Sequence, residues 1–269
     1  MVIHPRVQAL AETFLHNVDG EAPGMVQGLY LTGSVALHDF RLHASDVDFV
    51  VVLAHRPTKS DNDALRRAHA RTRAHTPRPQ FNGIHVTWDD LGEDPASCGP
   101  VPSVLGGRFK AKAAADVNPV TWHVLAERGV TIRGPLPVEL DVWDEPESLR
   151  AWSLGNLDEH WRRWRAKAGR LVTPRGLAAL GSLAPSWSVL SVSRLHFTLR
   201  TCEITSKSGA GAYALHAFPE KWHRIVNECL RVRRGSTLPS LYESALARRR
   251  AALDYIEMVL DDALSPSLA

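Results

Sequence analysis

Gly33-Ser34 and, after eleven intervening residues, Asp46-Val47-Asp48 are the residues whose types and spacing could do chemistry. Carboxylates at i and i+2 at the start of a strand point to the same face, because side chains alternate across a sheet. Held that close they repel, unless a hard divalent cation such as Mg²⁺ bridges them. A Gly-Ser at a strand-to-helix turn offers a hydroxyl and backbone N–H groups to an anion. A metal beside a phosphate cradle is the chemistry of nucleotides. The bland alternative is a serine N-cap followed by a polar turn.

The elements that must position these residues are legible around them. The run 25–31 (MVQGLYL) enters the Gly-Ser and 49–53 (FVVVL) leaves the Asp-x-Asp, and both read as strands. An amphipathic helix is expected over 5–18, a surface helix over 61–72 and a third strand over 83–88. Residues 92–107 carry Gly, Pro and Ser and read as an irregular loop. Asn118-Pro119 opens a helix that runs to Arg128, and 130–133 is a short strand before Gly134-Pro135. From about residue 145 the pattern turns helical, with candidates over 147–168, 187–201, 208–217, 219–232 and 238–264. The basic run Arg248-Arg249-Arg250 reads as a solvated helix face. The expected class is α+β. A first domain with a small mixed sheet, residues 1–140, which carries the Gly-Ser and the Asp-x-Asp, is expected to pack against a C-terminal helical bundle, residues 141–269.

Composition narrows the function classes. The chain has 269 residues, 44% hydrophobic and 23% charged, as in a soluble globular protein. A net charge of +3 is too slight for a dedicated nucleic-acid binder, so nucleic acid is not the expected partner. Cys98, Cys202 and Cys229 form no metal or disulfide pattern. No apolar run is long enough to span a bilayer, and the N-terminus lacks the order of segments of a signal peptide. A cytoplasmic protein, acting as a monomer without a membrane, is the expectation.

The Gly-Ser/Asp-x-Asp arrangement resembles the signature of the polymerase-β-type nucleotidyltransferases. The helical half narrows the resemblance. Residues 193–201 (SRLHFTLRT), Glu203-Ile204-Thr205-Ser206-Lys207, Tyr213-Ala214-Leu215 and Phe218-Pro219 are similar to the C-terminal domain of the aminoglycoside adenylyltransferases that modify streptomycin and spectinomycin. Residues 118–135 also resemble that family's connecting helix, strand and Gly-Pro. The resemblance implies transfer of AMP from ATP to a hydroxyl of a small molecule, an aminoglycoside or aminocyclitol, in a cleft between two domains. It therefore implies antibiotic resistance. It places Mg²⁺ on Asp46 and Asp48 and the phosphates on Gly33 and Ser34. Lys207 matches the family's lysine that reaches the triphosphate; it also follows a helix end and precedes a small-residue stretch (GAGA) that would let a ligand approach. Ser45 is a phosphate contact or a turn cap, and Arg194 a second phosphate contact or a buried ion-pair partner. Asn118, which opens the connecting helix, completes the candidate nucleotide-binding set.

Two departures from the family pattern bear on activity. The family carries a third carboxylate, a Glu that accepts the proton of the attacking hydroxyl, and alignment on the following Val-Thr puts His85 there. His85 could be the base, Asp89 could substitute, or the base could be absent, leaving a weak or inactive nucleotide- or antibiotic-binding homologue. The segment 183–187 (LAPSW) also lacks the acids that a polycationic acceptor needs. Asp141, Asp144, Glu145, Glu147, Asp158 and Glu159 are the remaining acidic candidates. Trp161 and Trp164 are expected in the core.

Overall fold

The computed structural model describes residues 3–114 and 116–265, which divide into two compact units, Met1–Glu145 and Pro146–Ala269. The boundary falls a few residues beyond the one expected near 140.

The first unit is a six-stranded mixed sheet with helices on both faces. In chain order it runs α1 (Pro5–Glu21), β1 (Val26–Leu31), α2 (Gly33–Ala36), β2 (Val47–Leu53), α3 (Lys59–His75), β3 (Phe81–Thr87), α4 (Trp88–Leu91), β4 (Val101–Leu105), β5 (Arg108–Ala113), α5 (Pro119–Arg128) and β6 (Val130–Arg133). The strand order is β5-β4-β3-β2-β1-β6, with only the β2–β3 pair parallel.

Side-chain alternation sorts the core into two layers. Val47, Phe49, Val51 and Leu53 pack with Val7, Leu10, Phe14 and Val18 of α1 and Leu65 and Ala68 of α3. Val50 and Val52 pack on the other side, with Tyr30, Ile84, Val86, Trp122 and Leu125. α3 starts from a capping box in which Thr58 Oγ1 accepts the Asp61 N–H and the Asp61 carboxylate accepts the Thr58 N–H.

The region expected to be an irregular loop instead contributes β4, and β4 forms a hairpin with β5. Its turn is Gly106-Gly107, with φ of 58° and 68°, between paired Leu105 and Arg108. Two left-handed residues make the tight turn whose twist matches that of its strands.

The second unit comprises α6 (Pro146–Gly155), α7 (Arg162–Ala168), α8 (Pro174–Ala178), α9 (Leu183–Thr201), α10 (Lys207–Ala217), α11 (His223–Arg233) and α12 (Ala245–Ala263), with a π-helical turn at Asn156–Trp161 joining α6 to α7. α9 lies at its centre, packed on α6, α10, α11 and α12. Trp161 and Trp164 are core, as expected.

Three details of this unit differ from the sequence expectation. Residues 238–244 are not helical; they are held by Glu228, whose carboxylate takes two bonds from Arg231 (2.8 and 3.0 Å), one from Ser240 Oγ (2.8 Å) and one from the Leu241 N–H (3.0 Å). Of the arginine run, only Arg250 is solvated. Arg248 donates to the Leu180 carbonyl and Arg249 to the Ala168 carbonyl at the end of α7. The small-residue stretch serves helix packing: a Cβ on Gly211 would lie 2.5 Å from Leu230 Cδ2, and one on Gly209 2.2 Å from Thr205 Oγ1.

Candidate functional site

β1 ends at Leu31, and the Thr32 N–H donates to the Asp48 carbonyl (2.9 Å), tying the turn to the start of β2. Gly33 then takes φ of 54°, a left-handed conformation that a side chain disfavours. A Cβ on Gly33 would stand 2.0 Å from Asp48 Oδ2 and 2.8 Å from its Cγ. The glycine is therefore what lets the backbone lie directly against the Asp48 carboxylate. Ser34 follows, its Oγ shielded from solvent and without a hydrogen-bond partner in the chain. A hydroxyl denied both water and protein partners is suited to an anion brought in beside it.

Asp48 lies on the Val50/Val52 face of the sheet, and Asp46, two residues earlier, is exposed at the mouth of the strand. The structure thus places Gly33 directly against Asp48, with Ser34 next in the same turn and Asp46 just before β2. Two carboxylates with open approach suit Mg²⁺, which commonly takes one or two protein carboxylates and completes its shell with water and substrate phosphate. Among the described residues, no group of three or more His, Cys, Asp or Glu is arranged to hold a metal ion. Ser45 Oγ accepts the Arg41 N–H (3.0 Å), which is the turn-cap arrangement.

His85 is not at this site. In the parallel β2–β3 register Asp48 is level with Asn82, and His85 is level with Val51, on the opposite face and three residues further on. There it is buried among Phe14, Phe49 and Phe109. Its Nδ1 bonds to the Pro102 carbonyl (3.0 Å) and its Nε2 to His69 Nε2 (3.0 Å). A carbonyl only accepts, so His85 carries its proton on Nδ1 and receives the His69 Nε2–H bond at Nε2. Burial, partly offset by the bond to Pro102, brings its pKa down to about 4. It is a neutral core histidine, and the reading of His85 as general base is corrected.

Asp89 fails on distance. It follows the end of β3, and the five residues from Asn82 to Thr87 span about 17 Å of strand. The next residue, Asp90, caps α4 through Thr87 and pairs with Arg56. Asn118 is likewise a structural cap, its Oδ1 accepting the Thr121 N–H (3.1 Å) at the start of α5.

The residue that sequence reasoning missed is Asn82. Its Nδ2 donates to Asp46 Oδ2 (3.1 Å), and its Oδ1 accepts the Gly107 N–H (3.0 Å) from the β4–β5 turn. The position beside the carboxylate pair is thus filled by a neutral amide whose orientation is fixed from both ends. The findable signal was Gly-Gly between an apolar run and the alternating Arg108–Ala113, which marks a hairpin.

In the second unit, Arg194 lies in α9 and Lys207 opens α10 behind the Ser206 cap; both are half-buried and have interaction partners. Of the acidic candidates, Asp144 bonds His123 Nδ1 (3.0 Å) within the first unit. In the second, Asp158 and Glu159 form exposed i,i+4 pairs with Arg162 and Arg163. Cys98, Cys202 and Cys229 are free thiols. No helix among the described residues is long and apolar enough to cross a membrane.

Comparison with known proteins places these observations. Residues 175–256 match the family model described as Aminoglycoside adenylyltransferase, C-terminal domain. No curated protein matches the chain by sequence. Among solved structures, the chain is similar to spectinomycin adenyltransferase AAD(9) from Enterococcus faecialis, a structure with ATP and spectinomycin. The TM-score is 0.65 at 13% identity, over 93% of this chain and 98% of that one. At that identity the likeness speaks for the fold, a mixed-sheet unit followed by a helical unit. The sequence match to the aminoglycoside adenylyltransferases thus lies in the second unit, over residues 175–256, and along the rest of the chain the likeness is one of fold.

Proposed function

We propose that this protein transfers AMP from ATP, with Mg²⁺, to a hydroxyl of a small molecule, an aminoglycoside or aminocyclitol. The observation that carries the reading is the Gly33-Ser34 turn lying against the Asp48 carboxylate, with an unpartnered hydroxyl beside it. A metal position and a phosphate position are adjacent there. The family match of the second unit and the similarity to an adenyltransferase solved with ATP and spectinomycin support the substrate class.

In this reading Asp46 and Asp48 hold the metal, and Ser34 Oγ donates to a phosphate oxygen. Mg²⁺ held there would supply positive charge to offset that developing on the leaving pyrophosphate. Gly33 keeps the turn close enough for both contacts. Asn82 holds the Asp46 carboxylate through its Nδ2–H. Lys207 and Arg194 are the candidate counter-charges for the triphosphate.

Asn82 favours one second reading, that of a slow or inactive homologue. An amide cannot take the proton of an attacking hydroxyl, and a positioned base contributes about 10²–10⁴-fold. The test is to incubate the protein with Mg-ATP and a panel of aminoglycosides and aminocyclitols, and to look by mass spectrometry for an acceptor heavier by one AMP. The expected result is a product that Asp48→Ala abolishes. Mg-ATP binding with no product from any acceptor overturns the transferase reading. Asn82→Asp keeps an oxygen for the Gly107 N–H and adds a carboxylate, so turnover should rise at least tenfold. A fall would show that the donor to Asp46 matters more than a base.

A further inference from the structure

A pocket of about 140 Å³ opens at the other end of the sheet from the aspartate pair, where β3, β4 and β5 meet the start of α3. Its lining takes His85, Val86 and Thr87 from the end of β3, about 10 Å or more along the strand from Asn82, which is level with Asp48, so it is separate from the nucleotide chemistry above. Its volume is that of roughly four or five waters, too small for a nucleotide and enough for a compact metabolite.

Its polar groups are specific. Arg56 places Nη2 on Asp90 and is otherwise largely exposed, with donors to spare. Lys112 is an exposed ammonium on the edge strand. Asp90 cannot bind a cation here, since one oxygen takes Arg56 and the other takes the Thr87 N–H and hydroxyl. His85 has both ring nitrogens committed and stays neutral. Asn62 donates Nδ2–H to the Thr58 carbonyl, which leaves its Oδ1 shielded from solvent without a partner. The pocket therefore asks for negative charge at Arg56 and Lys112 and for a hydrogen-bond donor at Asn62 Oδ1. Pro57, Pro100, Val86 and Val101 supply apolar wall between them, which suits a short carbon body.

We propose that this pocket binds a small hydroxy-carboxylate, its carboxylate on Arg56 and Lys112 and its hydroxyl on Asn62 Oδ1. An amino acid fits less well, because its ammonium would meet two cations and no available carboxylate.

Glycerate titrated into the full chain, followed by amide NMR, tests this. Saturable shifts are expected at Asn62, Thr87 and Lys112. Affinity should fall at least tenfold in Lys112→Glu and in Asn62→Leu, and be unchanged in Asp48→Ala. Lys112 is exposed, so its variant reports binding without a folding loss. Inorganic phosphate, a bare anion, and glycerol, a neutral polyol, should each bind at least tenfold more weakly. Absence of saturable shifts with glycerate overturns the proposal. So does phosphate or glycerol binding as tightly as glycerate, or wild-type affinity in both pocket variants.

Discussion

Gly33→Ala tests the site at its tightest contact. The new Cβ would stand 2.0 Å from Asp48 Oδ2, where ordinary contact begins at 3.4 Å, so carboxylate and turn must separate by about 1.4 Å. A misplacement of about 1 Å at a reacting centre costs on the order of 10²-fold in rate. The φ of 54° adds a backbone cost of about 1–2 kcal/mol for any side chain. Gly24 separates the two effects: its φ is 78°, and a Cβ there meets nothing within 4 Å. Gly24→Ala should lose about 1–2 kcal/mol of stability and keep full Mg-ATP affinity and transfer. Gly33→Ala should lose at least that stability and, in addition, at least about 10²-fold in transfer, with Mg-ATP binding weakened in parallel. Urea unfolding, calorimetric titration with Mg-ATP and product mass together read all three quantities. Transfer and Mg-ATP affinity in Gly33→Ala within threefold of the parent would refute the reasoning. An equal loss in Gly24→Ala would show that backbone strain alone is responsible.

Two pH dependences follow, in different windows. Burial lowers the pKa of His85 to about 4 and that of His69 well below the ordinary 6.5, so the unfolded chain binds these protons more tightly. Stability of the first unit should therefore fall as pH drops from 6.5 toward 4, by about 3 kcal/mol for His85 alone, and His69→Phe/His85→Phe should flatten that slope in urea titrations. Burial pushes the Glu228 carboxyl up, but bonds from Arg231, the Leu241 N–H and Ser240 bring it down to about 2 from 4.5. That is worth about 3 kcal/mol to the second unit, present above pH 4.5 and lost as pH falls through 2. Glu228→Gln should remove this lower slope and lower the unit's melting temperature at pH 7; an unchanged acid limb would count against the network.

What could be read from the sequence was what depends on local pattern. Helix α1 shows its apolar face at spacings of three and four, α5 announces itself by Asn118-Pro119, and β2 is a run of β-branched and apolar residues behind two aspartates. The turn chemistry was legible too, because Gly-Ser before a helix and Asp-x-Asp before a strand state their own geometry. An asparagine before Pro at a helix start is a cap first, and the structure uses Asn118 as one.

The general-base position failed because it depends on register between strands, which no local pattern carries. Matching the Val-Thr of β3 selects His85, but pairing with β2 sets Asn82 level with Asp48 and turns His85 to the other layer. A slip of three residues changes both the height and the face, since the side-chain period is two. The register is held by contacts far apart in sequence. Phe81 and His85 fill the aromatic layer against Phe49 and Phe14, and Asn82 is clamped by the Gly107 N–H of a hairpin read as loop. The same packing that makes His85 useless as a base makes it a core residue whose loss would be felt in folding. Placing Glu at 85 would bury an unpaired carboxylate among phenyl rings and destabilise the sheet. The chemical question therefore belongs to Asn82, where a carboxylate could stand beside Asp46 and Asp48 at the surface of the sheet.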